Sequence, residues 1–270
     1  MNLHCIVQAR MASSRFPNKV LKKIGNYFVI ELLIKRLSLS KLINKIIVAT
    51  SENKSDDILV DFLKKMSISI IRGSEDNVLQ RYNKAQNRFK SDIIIRITGD
   101  CPFIDPKLVD EMLDLYLNSN FDYISNINPP SFPDGLDVEI FSSQVLKTIH
   151  ELASNKFDLE HVTPYILKNS KFKKYNFKNK IDYSKYRWTI DEPVDLKVLN
   201  KLFNLVGNRY DFFWKDILKY PSVTDKLSIL NSNITRNEGQ IMSSGQKHWK
   251  RAKKVIPGGT MLLSKRPDQF

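Results

Sequence analysis

The chain has 270 residues, 42% of them hydrophobic and 27% charged, the composition of a globular protein with a sizeable core. Disorder, collagen and coiled coil are excluded as its main character. Nine Gly and eleven Pro are too few for a low-complexity chain, and two Cys, Cys5 and Cys101, are too few for a disulfide framework, so a reducing compartment is expected. The formal net charge of +14 suggests nucleic acid or an anionic surface. The last 40 residues, however, hold eight Lys or Arg against two acids, and the remaining surplus is spread along the chain. A solvated basic surface accounts for such a surplus, and only local clusters of charge can argue function.

The amino terminus, MNLHCIVQAR, has no basic stretch before a long apolar run. No window reaches the roughly 18 to 20 apolar residues that a membrane span needs. A cytoplasmic protein without a membrane partner is the expectation.

Apolar runs rich in β-branched residues recur at 3–8, 45–49, 68–71 and 92–98, which suits strands buried on both faces of a parallel sheet. Between them, residues 28–38, 56–66, 75–88 and 106–118 repeat apolar positions at three and four, and Pro106 sits where a first helical turn tolerates it. Four β-α units predict an open α/β sheet, Rossmann-like and mostly parallel, flanked by helices. The rhythm then changes. A loop with Asn126, Asn128, Pro129, Pro130 and Pro133 leads to a strand within LDVEIF, then to helices near 142–153 and 158–169. A final strand is expected at YRWTI, 186–190, before a helix opening at Glu192 or Pro193. The second half reads as a sheet extension and lid on the same domain, 1–230. Residues 231–245 lack an apolar period and read as a linker, and 246–270 start a basic amphipathic helix that stops at Pro257-Gly258-Gly259.

Ligands of open α/β sheets bind beyond the carboxyl ends of the strands, which directs attention to the loops leaving the first and fourth strands. The first, Ala9 to Lys19, sets Arg10, Arg15 and Lys19 among small hydroxyl residues. Guanidinium forks, an ammonium, hydroxyls and backbone N–H groups suit a polyphosphate; a plain surface loop could carry the same cations. The dinucleotide glycine fingerprint and the P-loop pattern are both absent. In the fourth-strand loop, Thr98 to Asp105, a carboxylate facing an anionic ligand would repel it unless a divalent cation lies between, so Asp100 reads as a magnesium ligand. The alternative is a helix cap, a role that Asp105, directly before Pro106, fits better. Asp191 is a second candidate ligand or an N-cap. His4, His150 and His248 stand alone without zinc spacing, and Cys101 reads as a small packed residue.

The stretches QARMASSRFPNKVL, VATSENKSDD, RGSEDNVLQRY, RITGDCPFIDP, SNINPPSFPDGLDVEIF, EHVTPYI and RWTIDEPVDL resemble, in order and spacing, the cytidylyltransferases of the spore-coat polysaccharide type. These are relatives of the CMP-ketodeoxyoctonate and CMP-sialate synthetases. The resemblance implies a Rossmann-like nucleotidyltransferase that joins CTP to an acidic or amino sugar and releases pyrophosphate, with Mg²⁺ as cofactor. By position it implies that Arg10, Arg15 and Lys19 hold the triphosphate, with Ser13 in the same loop, and that Asp100 and Asp191 hold the metal. Arg72 and Arg96 become further nucleotide or sugar contacts, and Asp134, Asp137, Glu139 and His161 fall on the stretch facing the sugar. Three positions depart from the pattern: Ala12 and Asn18 stand where glycine is usual, and Phe16 where leucine is usual. Asn accepts glycine-like backbone angles better than most residues.

The last 25 residues are similar to the opening of class III, glutamate-semialdehyde-type aminotransferases. They end before any lysine that could bind pyridoxal phosphate, so a fusion to, or coupling with, such an enzyme is implied but no aminotransferase activity. A homodimer is common in the related synthetases. The expected mechanism is in-line attack of a sugar hydroxyl on the α-phosphorus of CTP. Its rivals are a glycosyltransferase of the same general fold, which would commonly carry an Asp-x-Asp motif not found at the fourth-strand end, and a non-catalytic basic nucleic-acid-binding module. The latter would need basic and aromatic residues alternating on an exposed strand face, and the strands here are too uniformly apolar.

Overall fold

The computed structural model describes residues 1–236. Met1–Asn233 forms one compact unit. The aminotransferase-like stretch at 246–270 and the expected linker from 237 onward lie outside the described residues.

The chain opens on β1 (Leu3–Gln8), followed by a loop to Asn18 and a 3-10 turn at Lys19–Leu21. A small hairpin, β2 (Lys23–Ile24) and β3 (Tyr27–Phe28), leads into α1 (Val29–Leu37). Then come β4 (Lys45–Ser51), α2 (Asp57–Lys65), β5 (Ser69–Gly73), α3 (Val78–Phe89), β6 (Ile93–Thr98) and α4 (Pro106–Leu117). The second half contributes β7 (Tyr123–Ser125), β8 (Glu139–Ser142), α5 (Ser143–Leu152), α6 (Lys156–His161), α7 (Pro164–Lys168) and β9 (Lys174–Asn176), and closes with α8 (Pro193–Leu205), α9 (Trp214–Ile217) and α10 (Pro221–Ile229). Helix starts follow from local chemistry. The Asn77 side chain accepts from Gln80 N, and the Asp105 carboxylate accepts from Lys107 N and Leu108 N with Pro106 at the first helical position.

Seven strands form one sheet in the order β5-β4-β1-β6-β8-β7-β9. β1 is parallel to β4 and β6, and β8 runs antiparallel to both of its neighbours. Strand alternation divides the core between two faces. Leu3, Cys5 and Val7 join Ile93, Ile95 and Ile97 under α1, α4 and α8, whereas Ile6, Ile47 and Ile94 pack beneath α3 and α5. Helices thus cover both faces, which is why these strands are apolar throughout.

Because β4 and β5 lie on one side of β1 and β6 on the other, strand order reverses at β1, and a crevice opens between the carboxyl ends of β1 and β6. Gly99 permits the close approach there. Its amide donates to Gln8 O at 2.8 Å, and a Cβ at Gly99 would lie 2.7 Å from Ala9 Cβ.

Two expectations are corrected. Residues 186–190 are not a strand: the stretch makes one parallel bridge, Asp134 to Arg187. Its amides turn instead to loops at the sheet's edge, Trp188 N to Asp134 O and Ile190 N to Asp100 O at 2.9 Å. The expected helix at 158–169 is two short helices, because Val162 takes φ 71°, which no right-handed helix can continue, and a new helix starts with Pro164 at its first position. β7 and β9, short and embedded in polar sequence, carry no strong strand signal.

Gly99→Ala forces β1 and β6 apart and is expected to cost about 1–3 kcal/mol. A urea midpoint equal to the wild type's would show that the crevice has room to spare.

Candidate active site

The loop after β1 is fixed at both ends by main-chain hydrogen bonds. Met11 N donates to the buried Asp56 carboxylate at 2.7 Å, and Asn18 N donates to Met11 O at 3.0 Å. Asn18 adopts φ 59° and ψ 22°, the left-handed geometry in which asparagine can replace glycine. Asp56 also accepts from Thr50 Oγ1 at 2.8 Å, from Ser51 N at 3.0 Å and from Ser51 Oγ. Burial alone would push this carboxyl up, but its four donors hold it below the usual carboxylate range.

From this anchored loop Lys19 reaches across the crevice. Its ammonium lies 2.6 Å from Asp100 Oδ2, 2.9 Å from Asp191 Oδ1 and 2.8 Å from Ile190 O. Arg15 meets the same Asp191 oxygen at 2.8 Å. Burial would lower the Lys19 pKa, yet the two carboxylates outweigh it and raise it. Burial would likewise raise the Asp191 carboxyl, but Lys19, Arg15 and Arg187 carry it well below the usual range. Arg15, Lys19, Asp100 and Asp191, singled out from three distant stretches, therefore come together in space. Asp191 is not an N-cap: Glu192 caps α8, with Asp195 completing the capping box.

Asp134 joins the cluster through Arg187. That guanidinium donates to Asp134 Oδ2 at 2.7 Å, Asp191 Oδ2 at 2.8 Å and Asp195 Oδ1 at 3.0 Å. Asn231, buried just past the expected end of the domain at 230, donates to Asp195 Oδ1 at 3.0 Å. Asp137 belongs to the same region, since burial first, then Asp100, Asp137 and Asp134, push the Cys101 thiol up. Cys5 and Cys101 are both free and buried.

Arg10 and Ser13 stand further along the loop. They line a cleft of about 470 Å³ with Ser14, Asn18, Ser55 and Glu75, and Arg10 pairs with Glu75 at 2.9 Å. Arg72 is turned elsewhere, donating to Ser51 O, Asp57 Oδ1 and Asn53 O on the β4–α2 connection. Arg96 and Glu139, adjacent in the β6–β8 register, are ion-paired to each other inside the protein. His161 stacks edge-on against Phe157 at the end of α6.

The sequence reading missed Asp56, Arg187 and Asp195. A lone arginine in the apolar run YRWTI is the available signal, because a buried guanidinium requires carboxylates nearby.

Among the described residues no group of three or more His, Cys, Asp or Glu could hold a metal ion. Asp100 and Asp191, two carboxylates converging on one positive point, nevertheless fit Mg²⁺, which takes one or two carboxylates and completes its shell with water and phosphate oxygens. No described helix is long and apolar enough to cross a membrane.

The cytidylyltransferase family profile matches residues 4–214. The spore coat polysaccharide biosynthesis protein SpsF of Bacillus subtilis is 32% identical over 236 residues, 84% of this chain and 93% of that protein. A cytidylyltransferase structure from Leptospira borgpetersenii superposes with a TM-score of 0.79 at 34% identity, over 83% of this chain and 97% of that one. The structure of a CMP:2-keto-3-deoxy-manno-octonic acid synthetase complexed with CTP shares the fold, with a TM-score of 0.60 at 17% identity over 76% of this chain and 99% of that one.

Asp56→Asn sets an amide against four donors and is expected to cost about 2–3 kcal/mol at pH 7. A carboxyl with a depressed folded pKa stabilises above its unfolded value, about 3.8, and loses that contribution as the pH falls through the folded value. The difference between wild type and variant in urea unfolding should therefore be constant from about pH 7 to 5 and shrink below about pH 4. A difference that grew on acidification would contradict the assignment.

Proposed function

The chain belongs to the cytidylyltransferase family and is a nucleotidyltransferase, and on that premise we propose that it transfers CMP from CTP to a hydroxyl of an acidic or amino sugar. Pyrophosphate is released, Mg²⁺ is the cofactor, and the product serves surface polysaccharide biosynthesis, the process for which SpsF is named. One observation carries the reading: Lys19 and Arg15, from the loop after β1, meet Asp100 and Asp191 at a single point beyond the carboxyl ends of the strands.

In the proposed reaction the sugar oxygen forms a bond to the α-phosphorus, the α–β phosphoanhydride bond breaks with its electron pair leaving on pyrophosphate, and the hydroxyl proton passes to solvent water. Arg10, Arg15 and Lys19 neutralise the negative charge that builds on the departing pyrophosphate. Asp100 and Asp191 would hold Mg²⁺, whose contribution is Lewis-acid polarisation of a phosphate oxygen. Arg187 keeps Asp191 aimed at that point by binding its other oxygen. Asp137 and His161 belong to the sugar side of the site in this reading, and Ser13 to the triphosphate side.

Asp100→Asn should lower pyrophosphate release from CTP by about 10²- to 10³-fold. The fold should be preserved, since Lys19 retains Asp191 and Ile190 O. The check is a pyrophosphate assay with CTP, Mg²⁺ and a panel of acidic and amino sugars, beside a thermal melt. A variant as fast as wild type would overturn the metal assignment.

A further inference from the structure

Gln8 is the last residue of β1, and strand alternation places its side chain on the same face as Ile6, beside Arg96 of β6. Arg96 donates to Gln8 Oε1 at 2.9 Å, and the Tyr82 hydroxyl reaches the same oxygen at 3.4 Å. A guanidinium can only donate, so this contact fixes which end of the carboxamide is which. The oxygen faces Arg96 and the nitrogen faces away. Among the described residues Gln8 Nε2 has no hydrogen-bond partner.

The orientation is enforced from behind. Arg96 is ion-paired with the buried Glu139, whose other oxygen accepts from Tyr123 Oη and from Thr163 Oγ1 at 2.6 Å. Thr163 is delivered by a tight turn in which its amide donates to His161 O at 2.8 Å and Val162 takes φ 71°. A β-branched residue with positive φ is strained and persists only where its surroundings over-determine it. The row of polar groups from Thr163 to Arg96 lies inside the protein and ends at the half-buried Gln8 amide, whose backbone carbonyl is bound by Gly99, next to Asp100.

We propose that Gln8 is a specificity-determining residue that presents its two N–H donors to an acceptor oxygen, a carboxylate or carbonyl, of the acceptor sugar, with Arg96 and Glu139 as positioning residues. The inference rests on the sugar cytidylyltransferase reading above. The triphosphate loop opens toward Ser55 and Glu75, on the β4–β5 side of β1, whereas the Gln8 network runs to β6, β8 and the α6–α7 turn. Attacking and leaving oxygens stand on opposite sides of the phosphorus in an in-line transfer, which puts the acceptor on the Gln8 side. Glu139 and Asp134 are committed to Arg96 and Arg187, so the two N–H groups select an oxygen and disfavour an ammonium.

The test compares wild type with Gln8→Glu and Gln8→Met, using the best acceptor among ketodeoxyoctonate, N-acetylneuraminate and glucosamine. Glutamate keeps the acceptor that Arg96 needs but removes the donors; methionine removes both at similar length. Both variants should raise the sugar KM roughly tenfold to a hundredfold, while the CTP KM stays within about twofold of wild type. A structural role alone would leave the sugar KM of Gln8→Glu unchanged and lower only the melting temperature of Gln8→Met, and that pattern overturns the inference while the functional reading stands. Wild-type enzyme that releases pyrophosphate with none of the sugars refutes the reading itself, and the inference with it.

Discussion

A guanidinium held among three carboxylates, Arg187 with Asp134, Asp191 and Asp195, organises the carboxyl edge of the sheet. Its acids come from the loop before β8, from the turn leading into α8 and from the first turn of α8 itself. A buried charge without partners would be prohibitive, and each of these groups is tolerable because the others are present. The cluster therefore decides where the chain can run between 186 and 195. It draws that segment across the strand ends, where Ile190 N reaches Asp100 O and Ile190 O reaches Lys19. Asp191 consequently lies opposite Asp100, and the loop after β1 is drawn in by Lys19. Pairing stability and site geometry share the same bonds.

Much of this was legible in the sequence, and the physical reason differs from element to element. β1, β4 and β6 are buried on both faces and so read as unbroken apolar runs, and Asp105 before Pro106 signals its helix outright. Residues 186–190 mislead because an apolar run reports burial and not pairing partners: here the partners are loops. The break at Val162 is hidden because the bond from Thr163 to Glu139 that accompanies its positive φ joins residues 24 apart and leaves no local pattern.

The candidate site shows the same division. Arg15, Lys19, Asp100 and Asp191 could be singled out because they lie in loops expected beyond strand ends and in motifs that resemble those of a known family; their spacing alone left a surface loop and an N-cap open. Arg96 and Glu139 were equally visible, but whether they face a ligand or each other depends on the β6–β8 register, which brings together residues 43 apart in sequence. Arg72 differs again, since its three partners on the β4–α2 connection are set by how α2 packs. Gln8 escaped notice because a glutamine at a strand end is unremarkable until the orientation of its amide is known.

The electrostatics of the free protein bear on the proposed chemistry. Two carboxylates aimed at one point repel each other, and here Lys19 bridges them from 2.6 and 2.9 Å while Arg15 and Arg187 also pair with Asp191. The same ammonium is expected to serve the triphosphate, so it has two competing sets of anionic partners. A divalent ion binding to Asp100 and Asp191 would take over the neutralisation and leave Lys19 to the phosphates. A bound triphosphate would in turn supply the remaining oxygens that two carboxylates alone cannot provide. In the proposed reading, metal and nucleotide affinities would then be coupled through Lys19, each ligand removing a cost that would otherwise fall on the other. The loop holding Lys19 must accordingly be anchored independently of either ligand, and the bonds from Asp56 to Met11 and from Asn18 to Met11 provide that anchorage.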